Sequence, residues 1–178
     1  MGITLGKLHK LEEAEASYKK AIEIKPDFAH AHNNLGNAFK DTELFEEAMK
    51  SYEKAIELEP NSAEIHNNFG SLLSENLSRH DDAIISFKKA ISLDLYFYPA
   101  HLNLGHTFVA LNQYESAVEA YKSTMTIKPD LGNILGNLLN AKMNCCNWEK
   151  YNSLLNIKNI KEEFLDGKKV IAPFFLLS

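Results

Sequence analysis

The sequence predicts an all-α fold, a superhelix built from antiparallel helix pairs, and three observations support that prediction. A phrase recurs along the chain, because His32–Phe39 reads HNNLGNAF and His66–Leu73 reads HNNFGSLL. Alanine and aromatic positions return at spacings of 34, 35 and 34 residues, and glycine positions return at spacings of 34, 34 and 35. Apolar residues within each half of the repeat follow i, i+3, i+4 and i+7, the period of one helix face. A repeat of two helical stretches buries its apolar surface by stacking on its neighbours.

Composition excludes several function classes. The chain has 178 residues, a net charge of −5 and a single arginine, Arg79, so a nucleic-acid or anionic-membrane surface is not expected. Adjacent Cys145 and Cys146 form a poor pair for a structural disulfide, and the N-terminus does not read as a signal peptide, so we expect a cytoplasmic protein. The longest apolar run, residues 170–177, contains a proline and is too short to cross a bilayer.

The first helix of each unit carries a glycine inside its apolar stripe. Gly36 lies beside Leu35 and one turn before Phe39. Glycine inside a helix costs ~1 kcal/mol relative to alanine, so its recurrence predicts that two helices approach closely there. The recurring positions are Gly2, Gly36, Gly70 and Gly105.

The second helix of each unit presents small residues around one aromatic residue. Ala48, Tyr52 and Ala55 share a face, and we expect Tyr52 to fill the space between neighbouring units. A proline ends three of the second helices, and the residues after them are predicted to cap the next helix: Asp27, Asn61 and Asp130. The one extra residue falls within residues 74–82, between two helical stretches, where an insertion is tolerated best.

This pattern resembles the tetratricopeptide repeat, a 34-residue helix–turn–helix unit. The resemblance implies a tetratricopeptide-repeat superhelix over residues 1–131, with a partial unit at 1–28 and full units at 29–62, 63–97 and 98–131. Residues 132–178 are interpreted as a degenerate fifth unit, a helix and an apolar tail. Because the partial unit starts inside its first helix, we expect a short opening helix, an open apolar face and self-association through the open ends of the solenoid.

Asparagines recur on a different face of the first helices. Asn34 lies two residues before Gly36, about 200° round the helix, and so points away from the packing stripe. Asparagine is a mediocre helix former, and its amide both donates and accepts hydrogen bonds. We therefore predict a protein-interaction module whose concave groove holds an extended peptide through an asparagine ladder, with Asn34, Asn68, Asn103 and Asn137 as its rungs. The full set of predicted groove residues is Asn33, Asn34, Asn37, Asn67, Asn68, Asn103 and Asn137.

Two simpler origins of these asparagines stay open at this point. Seventeen of the 178 residues are asparagine, and units that arose by duplication can inherit a residue without using it. Substituting Asn68 and Asn103 by alanine is expected to weaken peptide capture and to leave the melting temperature nearly unchanged.

No catalytic constellation, metal site or cofactor site is predicted. His32, His66 and His101 occur once per unit, and units about 10 Å apart cannot place them around one zinc ion. Groove positions that carry cations in carboxylate-binding tetratricopeptide domains hold no lysine or arginine here, so that mode of peptide binding is not expected.

The end of the chain resembles the junction between repeats and catalytic region in the O-linked N-acetylglucosaminyltransferase family. The residues that carry this resemblance are CNW at Cys146–Trp148 and the segment VIAPFFLLS at its end. The resemblance implies a substrate-recruiting arm of a glycosyltransferase, inactive as this chain because no residues that hold a nucleotide sugar can be placed in it. A self-assembling scaffold is the third interpretation.

Overall fold

The computed structural model describes the backbone of residues 5–145 and the side chains from residue 10 onward. That part of the chain is entirely helical, with eight α-helices and one π-helical turn, which confirms the all-α prediction. The chain divides after Ala100 into two compact units, which are considered separately. The helices are α1 (Leu5–Ile24), α2 (Ala29–Asp41), α3 (Phe45–Leu58), α4 (Ala63–Ser71), the π-turn (Leu72–Asn76), α5 (His80–Leu93), α6 (Tyr98–Ala110), α7 (Tyr114–Ile127) and α8 (Ile134–Asn144).

The recurring glycines lie against the recurring aromatic rings of the paired helix, a contact consistent with the predicted close approach of two helices. A Cβ atom on Gly36 would stand 2.8 Å from Cε1 of Tyr52, and the corresponding distance from Gly70 to Phe87 is 2.7 Å. The fully buried Tyr52 ring also lies 6.3 Å, centroid to centroid, from Phe69 of the following helix pair. One ring thus packs on the glycine of its own pair and reaches the next pair.

Alanines beside each aromatic ring complete the core between helices. Ala48, Ala55, Ala83 and Ala90 are fully buried in α3 and α5. Small side chains at these positions let neighbouring helices approach, so the residues that recur in the sequence form the core of the first unit.

Three of the first helices are followed, two positions after their last residue, by a residue with a left-handed backbone. Glu43, Ser78 and Asn112 have φ values of 64°, 53° and 57°. The next backbone N–H then returns to a carbonyl near the end of the first helix, as from Leu44 to Phe39 at 2.8 Å. These turns therefore share one geometry although only Asn112 is a residue type that favours this conformation.

The extra residue of the 35-residue spacing is absorbed by the π-turn. The return hydrogen bond runs from Arg79 to Leu73 at 2.8 Å and spans one residue more than the bond from Leu44 to Phe39. A π-turn is an α-helical turn widened by one residue. The insertion therefore lies at the end of the first helix, at Leu72–Asn76, and the left-handed turn residue keeps its place.

The predicted helix caps are wrong. The N-cap residues of α2 and α4 are Phe28 and Ser62, one position after Asp27 and Asn61, and neither forms a side-chain cap hydrogen bond. The recurring histidines stabilise these connections instead. Nε2 of His32 lies 2.9 Å from the carbonyl oxygen of Pro26, and His66 and Pro60 repeat that contact at 2.9 Å.

The opening helix differs from the short helix that we expected. By the 34-residue spacing, residue 9 corresponds to Glu43, where the turn of the next pair begins. The backbone passes through residue 9 without a turn, and α1 is a continuous helix of 20 residues from Leu5 to Ile24.

Candidate functional site

The candidate site in the first unit is the polar surface of α2 and α4, and its centre is a hydrogen bond between two asparagines. Nδ2 of Asn68 donates to Oδ1 of Asn33 over 3.1 Å. These residues are 35 positions apart, so Asn68 pairs with Asn33 of the preceding first helix rather than with Asn34 at the same repeat position. The bond joins successive first helices directly.

Asn33 is the buried member of this pair. Its side chain has 0% exposure, and its own Nδ2 donates weakly to Oε1 of Glu64 at 3.5 Å. Asn67 is also buried, and its Nδ2 lies 3.5 Å from Oδ1 of Asn68. Asn33 and Asn67 are therefore buried beneath the polar surface and contact Asn68, whereas Asn34 and Asn68 are half-exposed on that surface.

Asn37 belongs to a second contact between helices. Its Oδ1 accepts a hydrogen bond of 2.6 Å from the hydroxyl of Tyr52. Burial raises the pKa of Tyr52 well above its usual value, and the carboxylates of Asp41 and Glu75 raise it further. The hydroxyl therefore stays neutral at physiological pH and donates to Asn37, which is half-exposed.

The second unit carries Asn103 on α6 and Asn137 on α8, and both side chains are half-exposed. Nδ2 of Asn137 lies 3.2 Å from Nε2 of His106, whose ring meets the edge of Tyr121 at 5.7 Å between centroids. Burial raises the pKa of Tyr121 to about 12. In this unit a half-exposed amide therefore lies beside a histidine ring.

The buried role of Asn33 and Asn67 was missed in the sequence, although a signal for it exists. Asn33 lies three residues before Gly36 and therefore on the packing side of α2. The repeat at residues 98–131 has Leu102 at the same position, and Leu102 packs against the apolar core of the second compact unit. A position that accepts leucine against a core is a packing position, so the two asparagines there are buried polar groups that need partners.

The described residues offer no group of three or more histidine, cysteine, aspartate or glutamate side chains placed to hold a metal ion. Within residues 5–145, no helix combines the length and the apolar composition that crossing a bilayer requires. The junction residues Cys146–Trp148 and the apolar tail lie outside the described part of the chain.

Family models match the chain along most of the described helices. A model of the TPR repeat matches residues 7–43, and three models of the tetratricopeptide repeat match residues 29–62, 51–85 and 100–135. A comparison with curated protein sequences found no match.

Solved structures share this fold at low sequence identity. MamA is 22% identical, with a TM-score of 0.77 over 95% of this chain and 100% of MamA. YrrB, described as a TPR protein with an unusual peptide-binding site, is 22% identical, with a TM-score of 0.66 over 93% of this chain and 87% of YrrB. The first TPR of Spaghetti (RPAP3), solved bound to the HSP90 peptide SRMEEVD, is 19% identical, with a TM-score of 0.64 over 66% of this chain and 93% of that domain.

Proposed function

Because this chain is a tetratricopeptide-repeat protein, we propose that it binds an extended segment of another protein along the polar surface of its first helices. The observation that carries the proposal is the half-exposed amide of Asn68, whose orientation is set by the buried oxygen of Asn33. YrrB and the Spaghetti domain, which share the fold, are described as having a peptide-binding site and a bound peptide.

The bonding of Asn68 determines what a ligand meets. One N–H of its amide is used by Asn33, which leaves a second N–H and an oxygen lone pair for a peptide backbone. Since the amide cannot rotate freely, little side-chain entropy is lost when a ligand binds. Asn33 and Asn67 thus act as supports of the proposed ladder, and Asn34 and Asn68 act as its contact residues in the first unit.

The corresponding contact residues in the second unit are Asn103 and Asn137. Each new hydrogen bond is worth roughly 0.5–1.5 kcal/mol net. Four such amides produce weak binding, and ordering a flexible peptide reduces it further. The proposed ligand is therefore recognised through its backbone and held with modest affinity.

The test uses peptides selected on the whole chain from a displayed library of random sequences, followed by affinity measurement with the labelled peptides. Asn34→Ala is the informative variant because Asn34 is half-exposed. We expect its peptide affinity to fall about 2–12-fold, the equivalent of one hydrogen bond. The matched control is Asn61→Ala, an exposed asparagine in the connection between α3 and α4, which should bind as the wild type does. Equal affinities for Asn34→Ala and the wild type would remove the ladder from the proposal.

A second candidate function is the substrate-recruiting arm of an O-linked N-acetylglucosaminyltransferase-like enzyme. The observation that favours it is the sequence of residues 146–178, with CNW at Cys146–Trp148. It uses the same peptide-binding surface and differs in what the gene encodes after Ser178. A continuation into alternating strand and helix patterns supports this candidate, and a stop codon there excludes it.

A further inference from the structure

The first helix of the chain leaves a face uncovered that its counterparts bury. Ala14, Tyr18 and Ala21 in α1 occupy the same repeat positions as Ala48, Tyr52 and Ala55 in α3. The three α3 residues have 0% exposure, whereas the three α1 residues are only half-buried. Ser17 is exposed, while Ser51 at the same repeat position has 8% exposure.

This difference in exposure arises because α1 is one continuous helix and does not fold back into a helix pair of its own. In the following pair, α2 covers the Tyr52 face of α3 from one side, and Gly36 provides the close contact. In the described part of the chain, α1 packs against α2, the first helix of the next pair, and Tyr18 contacts the cluster that contains Leu35 and Phe39 of α2. Ile24 at the C-terminal end of α1 is 78% exposed, which extends the uncovered face along the helix.

The charges beside this face are arranged so that two copies of it match. Glu13 and Lys20 are both exposed and lie seven residues apart, on the same edge of the face. If two α1 helices pack antiparallel about a two-fold axis near Ser17, each Glu13 lies opposite the Lys20 of the other copy. Parallel packing instead places the two charged edges on opposite sides of the contact, where Glu13 and Lys20 of the two copies do not meet. The small side chains Ala14, Ser17 and Ala21 in the middle of the face allow close approach of the helices.

We propose that this chain forms a symmetric dimer in which the Ala14–Ala21 face of α1 packs antiparallel against the same face of a second copy. The second α1 covers Tyr18 from the side on which α2 covers Tyr52 within the chain. The contact is isologous, so it closes after two copies and does not generate filaments. This surface lies on α1 and is separate from the asparagine surface of α2 and α4.

The test is sedimentation velocity of the whole chain from micromolar to millimolar concentration. We expect a reversible monomer–dimer equilibrium in the wild type. Lys20→Glu places two carboxylates opposite each other at both ends of the contact, and Glu13→Lys places two ammonium groups together in the same way. Each variant alone should therefore raise the dimer dissociation constant at least about tenfold. An equimolar mixture of the two variants restores opposite charges across the contact and should dimerise as the wild type does.

Two further variants test whether dimerisation depends on the Ala14–Ala21 face itself or only on the net charge of the chain. Ser17→Arg changes an exposed residue at the centre of the face and should abolish the dimer without changing the melting temperature of the monomer. Lys89→Glu, at the position of Lys20 in α5, is also exposed and should leave the dimer intact. A wild-type chain that sediments as a monomer at all concentrations overturns the proposal. Dimerisation of Lys20→Glu or Ser17→Arg at wild-type strength, or a mixture that stays monomeric, also overturns it.

Discussion

Replacing Asn68 by alanine tests whether the asparagine surface is also part of the framework. The side chain of Asn68 is half-exposed, so its own loss removes little packing. Its partner atom, Oδ1 of Asn33, belongs to a side chain with 0% exposure. From the sequence alone we expected this substitution to be nearly neutral for stability, and the bond to Asn33 changes that expectation.

The magnitude follows from the environment of Asn33. Leaving a buried acceptor without its partner costs about 1–3 kcal/mol. Alanine is a better helix former than asparagine by up to ~0.7 kcal/mol, which offsets part of that cost. We therefore expect Asn68→Ala to lose about 0.5–2.5 kcal/mol, and the melting temperature to fall roughly 1–10 °C for a chain of this size.

Asn34→Ala is the matched control. Asn34 occupies the same repeat position as Asn68 and is half-exposed in the middle of α2. The bond from Asn68 runs to Asn33 and not to Asn34. The control makes the same gain in helix propensity without leaving Asn33 unpaired, so its stability should equal or slightly exceed that of the wild type. The difference between the two variants in urea-induced unfolding then measures the hydrogen bond itself.

A double-mutant cycle completes the measurement. Asn33→Ala and Asn68→Ala together should cost less than the sum of the single substitutions, because the second change no longer leaves a buried partner unpaired. An Asn68→Ala variant as stable as Asn34→Ala, with additive effects in the cycle, would refute the assigned contact.

Three further predictions, which use four substitutions, test the helix packing, a turn and the pH dependence of stability. Gly36→Ala places a Cβ 2.8 Å from a ring atom of Tyr52, which costs about 1–3 kcal/mol, and the better helix propensity of alanine offsets about 1 kcal/mol of that cost. We therefore expect a net loss of up to about 2 kcal/mol in thermal unfolding, whereas Gly136→Ala in α8, where a Cβ meets nothing within 4 Å, should gain up to ~1 kcal/mol. If both variants shift stability in the same direction, the close contact at Gly36 is wrong. Glu43→Gly should raise the free energy of unfolding by up to about 1 kcal/mol in urea, because the φ of 64° strains any residue with a Cβ; a loss would show that the glutamate side chain contributes more than the strain. Burial raises the pKa of Tyr121 to about 12, so above its unfolded value of 10.0 the folded chain keeps a proton that the unfolded chain releases, and stability falls as the pH rises towards 12. Tyr121→Phe should therefore lose stability less steeply than the wild type across that alkaline range in urea titrations, and parallel profiles would contradict the assigned burial.

Sequence periodicity was sufficient to predict a close helix contact at Gly36 and a buried Tyr52, and the structure adds that the two are in contact with each other. Both positions are dictated by close helix contact, and a contact of this kind leaves a strict spacing in the sequence. The fold class follows from that spacing in the same way.

The features that the sequence did not reveal depend on neighbours outside one helix. The position of Asn33 relative to Gly36 indicates the packing side of α2, but its partner Asn68 comes from α4, and a projection of one helix cannot show that contact. Glu43 adopts a left-handed backbone although its side chain does not favour it, because the return hydrogen bond from Leu44 fixes the turn. The amide pairing also shifts by one position from the repeat register, so equal repeat positions do not imply direct contact.

The widened turn at Leu72–Asn76 has a consequence for how arrays of this kind change in length. One inserted residue at the end of a first helix widens one helical turn, and Phe87 of α5 still packs on Gly70 as Tyr52 packs on Gly36. The contact between the two helices of the pair is therefore kept despite the insertion. Genes for such arrays can therefore accumulate repeats of unequal length while each repeat still packs against the next one.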